Sequence, residues 1–282
     1  MNINHFGTLY IVATPIGNLR DMSLRAIDIL KTVNCIAAED TRHSKSLLQH
    51  YMINTPMFAL HQHNEREKST ALLERLQQGD SIALISDAGT PLISDPGYFL
   101  VREARVAGIT IVPIPGACAA ITALSASGLA TDRFSFEGFL PAKTKQRVQS
   151  LETLRTEART MVFYEAPHRV LDTLEDMQKV FGEKRQVVLA RELTKLYETI
   201  RSAALDELVE WVKNDDNQQR GEIVIMVEGA NSAVPESAEI VSAENILKIL
   251  MNELPLKQAV DLAAKISGLR KNELYQRALE LK

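Results

Sequence analysis

Short apolar, β-branched runs recur through the first half of the chain. They are LYIVAT at Leu9, CIAA at Cys35, SIALIS at Ser81 and ITIVPI at Ile109. Between them lie segments with helical spacing, such as residues 23–33, where Leu24, Ile27 and Leu30 share one helix face. Strands that are apolar throughout are buried on both faces, with helices as crossovers. We therefore predict a parallel α/β domain over residues 1–130.

A second series of strand-like runs follows. It comprises RFSFEGF from Arg133, TMVFYEA from Thr160, QVVLARELT from Gln186 and GEIVIMVEG from Gly221. Helical patterns at 168–181 and 204–213 separate the later runs. Residues 131–232 are therefore predicted to form a second α/β domain with a mixed sheet.

The remainder of the chain has a different pattern. Residues 231–243, NSAVPESAEIVSA, are rich in small residues and contain Pro235, which predicts a linker. Three helical patterns follow at 245–251, 256–266 and 271–281, with Gly268 in the last turn. This spacing predicts a helix-turn-helix-like unit over 243–282 that binds RNA. A helical hairpin used only for packing fits the same pattern.

Composition excludes several classes of protein. Hydrophobic residues make up 45% and charged residues 24% of the 282, which are ordinary values for a globular protein. No apolar run approaches the roughly 20 residues that span a bilayer, and the first residues do not resemble a signal peptide. Cys35 and Cys118 cannot build a disulfide framework. We expect a soluble, cytoplasmic protein.

The net charge of -4 provides no overall attraction to nucleic acid, so any RNA contact must be local. Residues 141–159 contain five basic residues against two acidic ones, and residues 255–282 contain six against three. Each segment therefore carries a net charge of +3. These segments are candidate RNA surfaces, although solvated helix faces have the same composition.

The segment SDAGTPLISDPGY, residues 86–98, follows a predicted buried strand and precedes a helix. Its glycines and prolines make a stiff loop that a ligand can approach closely. Such loops at the carboxyl edge of a parallel sheet commonly bind ligands. ATPIGNL at 13–19 and PIPGACAAITALSASG at 113–128 have the same character.

Several common sites are not supported. The chain contains neither a GxGxxG after the first strand nor a GxxxxGK[ST], so dinucleotide and P-loop fingerprints are missing. His61 and His63 are spaced for a metal but lack a third ligand nearby, and we predict no metal site.

Taken in order, these motifs resemble the tetrapyrrole methylase superfamily, and within it the branch of ribosomal RNA 2'-O-ribose methyltransferases. They are ATPIGNLRDMS, AAEDTRHS, SDAGTPLISDPGY, PIPGACAAITALSASGL, FEGFLP, FYEAPHR, ARELTK and GEIVIMVEG. The resemblance runs from about Leu9 to the C-terminus. Tetrapyrrole-modifying relatives have a GDP triplet where this chain has Gly89-Thr90-Pro91, which favours the RNA branch.

The resemblance implies two α/β domains with S-adenosylmethionine in the cleft between them, in a homodimer. The residues implied to bind the cofactor are Pro15, Ile16, Gly89, Thr90, Pro91, Ile93, Cys118, Ala119, Tyr164, Glu165 and Ala166. Asp87 is added to this set on grounds of charge. A sulfonium cation benefits from nearby carboxylates, and Asp87 or Glu165 are candidates for that role. Cys118 is predicted to be a small pocket residue, because direct methyl transfer needs no nucleophile on the enzyme.

A ribose hydroxyl is a poor nucleophile, so we look for groups that manage its proton. Asp40, Glu192 and Lys195 are the catalytic candidates, with structural ion pairs as the alternative. The predicted RNA contacts are basic residues, namely Arg42, His43, Lys143, Lys145, Arg147, Arg191, Lys257, Lys265, Arg270 and Lys271.

The function that the resemblance implies is S-adenosylmethionine-dependent 2'-O-methylation of a cytidine ribose in 16S ribosomal RNA, near the decoding centre of the small subunit. Two alternatives remain open. One is a small-molecule methylase acting on a tetrapyrrole of the precorrin type, and the other is an RNA-binding module without catalysis.

Overall fold

The structure, a computed structural model, describes residues 6–62, 64–230 and 236–281. The chain divides into two compact units, Met1–Gly229 and Ala230–Lys282. His63, Lys282 and residues 231–235, the first part of the predicted linker, lie outside the described residues.

The first unit begins with a five-stranded parallel sheet, as predicted. Its strands, in the spatial order β3-β2-β4-β1-β5, are β1 (Thr8–Val12), β2 (Cys35–Ala38), β3 (Met57–Ala59), β4 (Ile82–Ile85) and β5 (Thr110–Ile114). The helices between and after them are α1 (Leu24–Thr32), α2 (Thr41–His50), α3 (Glu65–Gln77), α4 (Tyr98–Val106) and α5 (Ala119–Ala126). Separate apolar clusters cover the two faces, which explains the continuously apolar strands.

The second sheet is mixed, again as predicted. Its strands, in the order β6-β7-β10-β8-β9, are β6 (Phe134–Phe139), β7 (Thr160–Glu165), β8 (Gln186–Arg191), β9 (Thr199–Ala204) and β10 (Ile223–Val227). Only the β6–β7 pair is parallel. Helices α6 (Thr144–Thr153), α7 (Val170–Phe181) and α8 (Leu205–Asn214) pack on one face.

The other face of the second sheet packs against the first sheet's last helix. Val162, Val188 and Val224 on this face share one apolar cluster with Ala120 and Leu124 of α5. The small residues predicted near the start of α5 therefore allow close packing at the boundary between the two α/β domains.

The second unit contains α9 (Glu236–Glu253), α10 (Leu256–Ser267) and α11 (Lys271–Glu280). Leu247, Val260 and Leu274 are fully buried in its core. Gly268 ends α10 in the left-handed conformation, with φ of +74°, as a helix-closing glycine does. The linker prediction for 236–243 is wrong, because these residues form the first turns of α9; Glu, Ser and Ala after a proline also suit a helix start. No helix in the described ranges is long and apolar enough to cross a membrane.

Candidate active site

A cavity of about 450 Å³ lies between the two α/β domains of the first unit. Its walls come from the ends of strands: Glu39 follows β2, the loop from Asp87 to Asp95 follows β4, and Phe139 ends β6. The other lining residues are Ile16 after β1, Ala119 at the start of α5, Tyr164 to Pro167 at the end of β7, Leu193 after β8, and Gly221 to Val224 at the start of β10. A cavity of this size at strand ends fits a small-molecule ligand.

Most of the residues predicted to hold a cofactor line this cavity. They are Ile16, Asp87, Gly89, Thr90, Ile93, Ala119, Tyr164, Glu165 and Ala166. Pro15 and Pro91 are buried beside it, and Cys118 is the residue before α5. The predicted cofactor set did not include Glu39, Asp95, Phe139, Leu193 or Glu222, which also line the cavity.

The loop after β4 is held in an unusual backbone conformation. Gly89 exchanges two backbone hydrogen bonds with Thr14 of the loop after β1, at 2.9 and 3.1 Å, and has a φ of +81°. Leu92 and Ser94 also have positive φ, +72° and +71°, which costs free energy for residues with a Cβ. Strain of this kind is typical of ligand-binding loops.

Three carboxyl groups form a cluster on the wall, which we call the carboxyl cluster: Glu39, Asp87 and Asp95. Asp87 Oδ1 accepts a hydrogen bond from the Asp40 N–H at 3.1 Å. Burial raises the pKa of Asp95 to about 6. Burial, and then the charges of Asp95 and Asp87, raise the pKa of Glu39. A cation in the cavity would relieve this repulsion.

Glu165 and Tyr164 support the wall. Glu165 is only 3% exposed; it accepts a hydrogen bond from Thr173 Oγ1 at 2.6 Å, and Arg169 Nη2 lies 3.0 Å from its Oε1. Its charge is thus balanced within the protein, which favours Asp87 over Glu165 as partner of a sulfonium. Tyr164 Oη accepts from the Ala120 N–H at 3.2 Å, and burial raises the pKa of Tyr164.

Glu192 and Lys195 form an ion pair next to the cavity. Lys195 Nζ lies 2.8 Å from Glu192 Oε1 and 3.1 Å from Glu222 Oε2, and Glu192 Oε1 also accepts from the Glu222 N–H at 3.0 Å. Burial opposes ionisation of both groups, but these hydrogen bonds prevail, so the pKa of Glu192 is lowered and that of Lys195 is raised. Glu192 has a φ of +52°, a further strained position.

Glycines enclose this pair. A Cβ at Gly17 would lie 2.4 Å from Lys195 Cγ, and a Cβ at Gly221 would lie 2.4 Å from Glu192 Cδ. Both distances are below any normal contact, so only glycine leaves room for the pair where it stands.

Asp40 has a different environment from the one predicted for a catalytic group. It is the N-cap of α2: its carboxylate accepts from the Arg42 N–H at 2.8 Å and pairs with Arg42 Nη2 at 2.9 Å. Hydrogen bonds from Arg42 lower the pKa of Asp40 to about 2. Asp40 does not line the cavity, whereas the preceding residue, Glu39, does. Arg42 and His43 are exposed on the first turn of α2.

Two of the arginines predicted as RNA contacts have buried partners instead. Arg147 is 2% exposed and its Nη2 lies 2.7 Å from Asp176 Oδ2, itself buried. Arg191 is 7% exposed and donates to Gln218 and to the Tyr197 carbonyl. Both predictions are corrected, because a buried guanidinium with protein partners cannot reach a phosphate.

The other predicted basic contacts are on the surface. Lys143 and Lys145 are exposed at the start of α6, and no ion pair involves them among the described residues. In the second unit, Lys265 and Lys271 both pair with Asp261, at 3.0 and 2.6 Å. Lys257 and Arg270 are exposed.

The described residues contain no group of three or more His, Cys, Asp or Glu side chains arranged for a metal ion. Because His63 lies outside the described ranges, the absence of a metal at His61 and His63 stays a prediction.

Two α/β domains with a cavity between them at the strand ends are the architecture of a two-domain α/β enzyme with a small-molecule site. The model of the family described as Tetrapyrrole (Corrin/Porphyrin) Methylases matches residues 8–209, and the chain belongs to that family. A second model, the RsmI C-terminal HTH domain, matches residues 236–282, in agreement with the predicted helix-turn-helix.

The chain is similar along nearly its full length to curated relatives named Ribosomal RNA small subunit methyltransferase I. The relative from Pseudomonas aeruginosa is 58% identical over 97% of both chains. The relative from Escherichia coli O157:H7 is 57% identical over 98% of this chain and 96% of its own.

Solved structures share the fold at low identity. A diphthine synthase matches with a TM-score of 0.62 at 14% identity, covering 79% of this chain and 90% of that one. A uroporphyrin-III C-methyltransferase from Thermus thermophilus, complexed with S-adenosylhomocysteine, matches with a TM-score of 0.56 at 16% identity, covering 79% and 97%. These likenesses establish the fold alone.

Proposed function

We propose that the chain is an S-adenosylmethionine-dependent methyltransferase that methylates the 2'-hydroxyl of a cytidine ribose in small-subunit ribosomal RNA, near the decoding centre. The observation that carries the proposal is the carboxyl-lined cavity in a chain 57–58% identical to relatives named ribosomal RNA small subunit methyltransferase I. We further propose that the enzyme acts in the cytoplasm as a homodimer.

The cavity fits this cofactor on three counts. Half-buried carboxyl groups, with Asp95 at a pKa of about 6, suit a cation. Gly89 lacks a side chain where a Cβ would lie 3.4 Å from Ile16 Cγ2, and Ala119 adds only a methyl group to the wall. S-adenosylmethionine would supply an electrophilic methyl group on a sulfonium sulfur. Its binding residues are proposed to be the nine predicted residues that line the cavity, namely Ile16, Asp87, Gly89, Thr90, Ile93, Ala119, Tyr164, Glu165 and Ala166, together with Pro15, Pro91 and Cys118.

Glu192 and Lys195 are proposed to manage the proton of the ribose hydroxyl. As that oxygen gains a methyl group its proton becomes strongly acidic, so a carboxylate of lowered pKa can still accept it. Lys195 remains charged because its pKa is raised, and it orients the carboxylates of Glu192 and Glu222. Asp40 is not retained as a catalytic group, because it caps α2 and pairs with Arg42.

The RNA surface is proposed to include the exposed basic residues of both units: Arg42, His43, Lys143, Lys145, Lys257, Lys265, Arg270 and Lys271. Exposed lysines and arginines contact phosphates without reading sequence. We expect them to provide affinity, while the residues around the cavity select the nucleotide.

The proposal is tested in three reactions with methyl-labelled S-adenosylmethionine. One contains undermethylated small ribosomal subunits, one contains a precorrin, and one contains no acceptor. We expect label on the ribosomal RNA alone. Label on the precorrin would establish the tetrapyrrole alternative. Binding of small subunits without S-adenosylhomocysteine binding, measured by calorimetry, would support an RNA-binding module without catalysis.

A further inference from the structure

Strand β6, at the edge of the second sheet, exposes three phenylalanines. Phe134 is 38% exposed, Phe136 is 36% exposed and Phe139 is 56% exposed. Large aromatic side chains on an edge strand are a liability for aggregation unless they serve a binding purpose. Phe139 is the one of the three that lines the cavity.

An irregularity in β6 determines where Phe139 points. Phe136 is opposite Val162 and Gly138 is opposite Phe163, so the register skips Glu137. In a regular strand, residues 136 and 139 would lie on opposite faces of the sheet. The extra residue reverses that, and Phe136 and Phe139 lie on one face with Tyr164. A bulge of this kind commonly re-aims a side chain next to a functional site.

The bulge depends on a glycine. Gly138 has a φ of +65°, a left-handed value that residues with a Cβ rarely adopt. The sequence FEGF at the end of β6 therefore encodes both the aromatic side chains and the backbone that brings them together.

Tyr164 holds the two rings. Its ring centroid lies 4.9 Å from that of Phe136 and 5.6 Å from that of Phe139, with interplanar angles of 72° and 63°. Such edge-to-face contacts are favourable and fix orientation. Because Tyr164 is itself fixed by the Ala120 N–H, the rings stand on a rigid support. Phe139 nevertheless keeps more than half of its surface exposed.

Positive charge lies a few residues further along the chain. Lys143 and Lys145, at the start of α6, are exposed, and in the part of the chain that the structure describes neither forms an ion pair. Exposed aromatic rings beside basic groups are the combination that binds single-stranded nucleic acid: bases stack on the rings and phosphates contact the cations.

We propose that Phe136 and Phe139 form an aromatic platform on which the base of the target nucleotide stacks, with Lys143 and Lys145 contacting its flanking phosphates. This inference rests on the proposed function. Stacking the base at the mouth of the cavity would present its ribose to the cavity. It also requires the target nucleotide to be unstacked from its neighbours, so the platform selects single-stranded RNA.

The test compares Phe139→Leu with Phe139→Trp, because leucine keeps an apolar side chain and tryptophan keeps an aromatic face. Phe58→Leu is the matched control, since Phe58 is 45% exposed on the edge strand β3 and does not line the cavity. We expect Phe139→Leu to lower kcat/KM for undermethylated small subunits by about 5- to 150-fold, the usual effect of losing one stacked base. Phe139→Trp and Phe58→Leu should remain within about threefold of the parent protein, as surface changes generally do.

Two further measurements separate the platform from other roles of Phe139. S-adenosylhomocysteine affinity by calorimetry, and the oligomeric state by light scattering, should be unchanged in Phe139→Leu. Weaker binding of S-adenosylhomocysteine would mean that Phe139 contacts the cofactor, and an altered oligomeric state would mean that β6 contacts a second copy. Unchanged kcat/KM in Phe139→Leu would also overturn the proposal.

The proposed function can fail separately. If the parent protein binds S-adenosylhomocysteine but methylates no RNA, that function is wrong, and fluorescence anisotropy with a labelled single-stranded oligocytidine decides the platform. We then expect Phe139→Leu, but not Phe139→Trp, to weaken oligocytidine binding. Equal affinity in both variants would contradict the platform.

Discussion

Glu39, Asp87 and Asp95 face one cavity, and their mutual repulsion makes the site receptive to positive charge. Asp95 affects the stability of the protein most directly, because burial raises its pKa from 3.8 to about 6. A carboxyl group in this state opposes folding when it is ionised. The clustered carboxyl groups thus lower the stability of the folded protein and raise its affinity for a cation.

Asp95→Asn tests this at the level of stability. The folded protein holds the Asp95 proton more tightly than the unfolded chain does. The stabilisation of the folded state by this proton is therefore complete below about pH 4 and is lost as the pH rises through about 6. Between pH 4.5 and 7 the free energy of unfolding of the parent protein should therefore fall relative to that of Asp95→Asn, by on the order of 1–3 kcal/mol. Urea unfolding at the two pH values measures this. Parallel changes in both proteins would show that Asp95 ionises normally.

Lys195→Met tests the proposed proton-managing pair. Methionine keeps the length of the side chain but removes the charge that pairs with Glu192 and Glu222. We expect kcat for methyl transfer to fall by about 10²- to 10⁴-fold, the usual contribution of acid–base groups, with S-adenosylhomocysteine affinity unchanged. Lys179→Met is the control, because Lys179 also pairs with a carboxylate, that of Asp176, but lies on α7, none of whose residues lines the cavity. A kcat in Lys195→Met equal to that of the control would leave the pair with a structural role only.

Among the elements, the loop after β4 contributes most to the site. Its backbone bridge to Thr14 and the positive φ values at Gly89, Leu92 and Ser94 make it a rigid wall of the cavity. Gly89→Val would add strain to this conformation as well as volume to the cavity. Ala119 is the cleaner position for a test, because it is the first residue of α5 and lines the cavity.

Ala119→Phe should abolish S-adenosylhomocysteine binding by filling the cavity, while circular dichroism shows a native fold. Ala126→Phe, at the other end of the same helix and away from the cavity lining, controls for a bulky residue in α5. Calorimetry measures the effect. Normal cofactor affinity in Ala119→Phe would mean that the cofactor binds elsewhere.

The loops and strands were predictable from the sequence because their signals are local. Apolar runs marked the strands, and the clusters of glycine and proline after β1 and β4 marked two walls of the cavity. The contributions of Phe139 and Glu222 were not predictable. Phe139 points into the cavity only because of the bulge at Gly138, and Glu222 lies on the wall only because β10 pairs with both β7 and β8.

Two side chains have partners in the structure that differ from the roles predicted for them. Arg147 belongs to a basic run that suggested an RNA surface, but its partner Asp176 is on another helix, 29 residues away. Asp40 belongs to a polar cluster after β2 whose neighbour Glu39 lines the cavity instead. Tertiary packing thus determines the role of Arg147, whereas Asp40 is engaged locally, as the N-cap of α2 and the partner of Arg42.

In the molecule as a whole, the methylase body and the C-terminal helices are separate compact units. Each has its own apolar core. Because α9 begins at Glu236, a truncation at residue 243 would cut through that helix. Removal of residues 230–282 is the deletion that respects the boundary between the units.

This deletion should weaken binding of small subunits and flatten its dependence on salt. Lys257 and Arg270 are exposed, while Lys265 and Lys271 share Asp261. We therefore expect the slope of log affinity against log salt to fall by about two units, one for each phosphate that Lys257 and Arg270 would neutralise. S-adenosylhomocysteine affinity should be retained. An unchanged slope would assign the helices to packing or dimerisation, and would leave Lys143 and Lys145 as the main RNA contacts.

We propose that the methyl group goes to a ribose oxygen of small-subunit RNA. Undermethylated small subunits are incubated with the enzyme and S-adenosylmethionine carrying a deuterated methyl group, and the RNA is digested to nucleosides for mass spectrometry. We expect one labelled nucleoside, 2'-O-methylcytidine, which is missing when Ala119→Phe replaces the parent protein. A deuterated methyl group on a base, or none in the RNA, would contradict it.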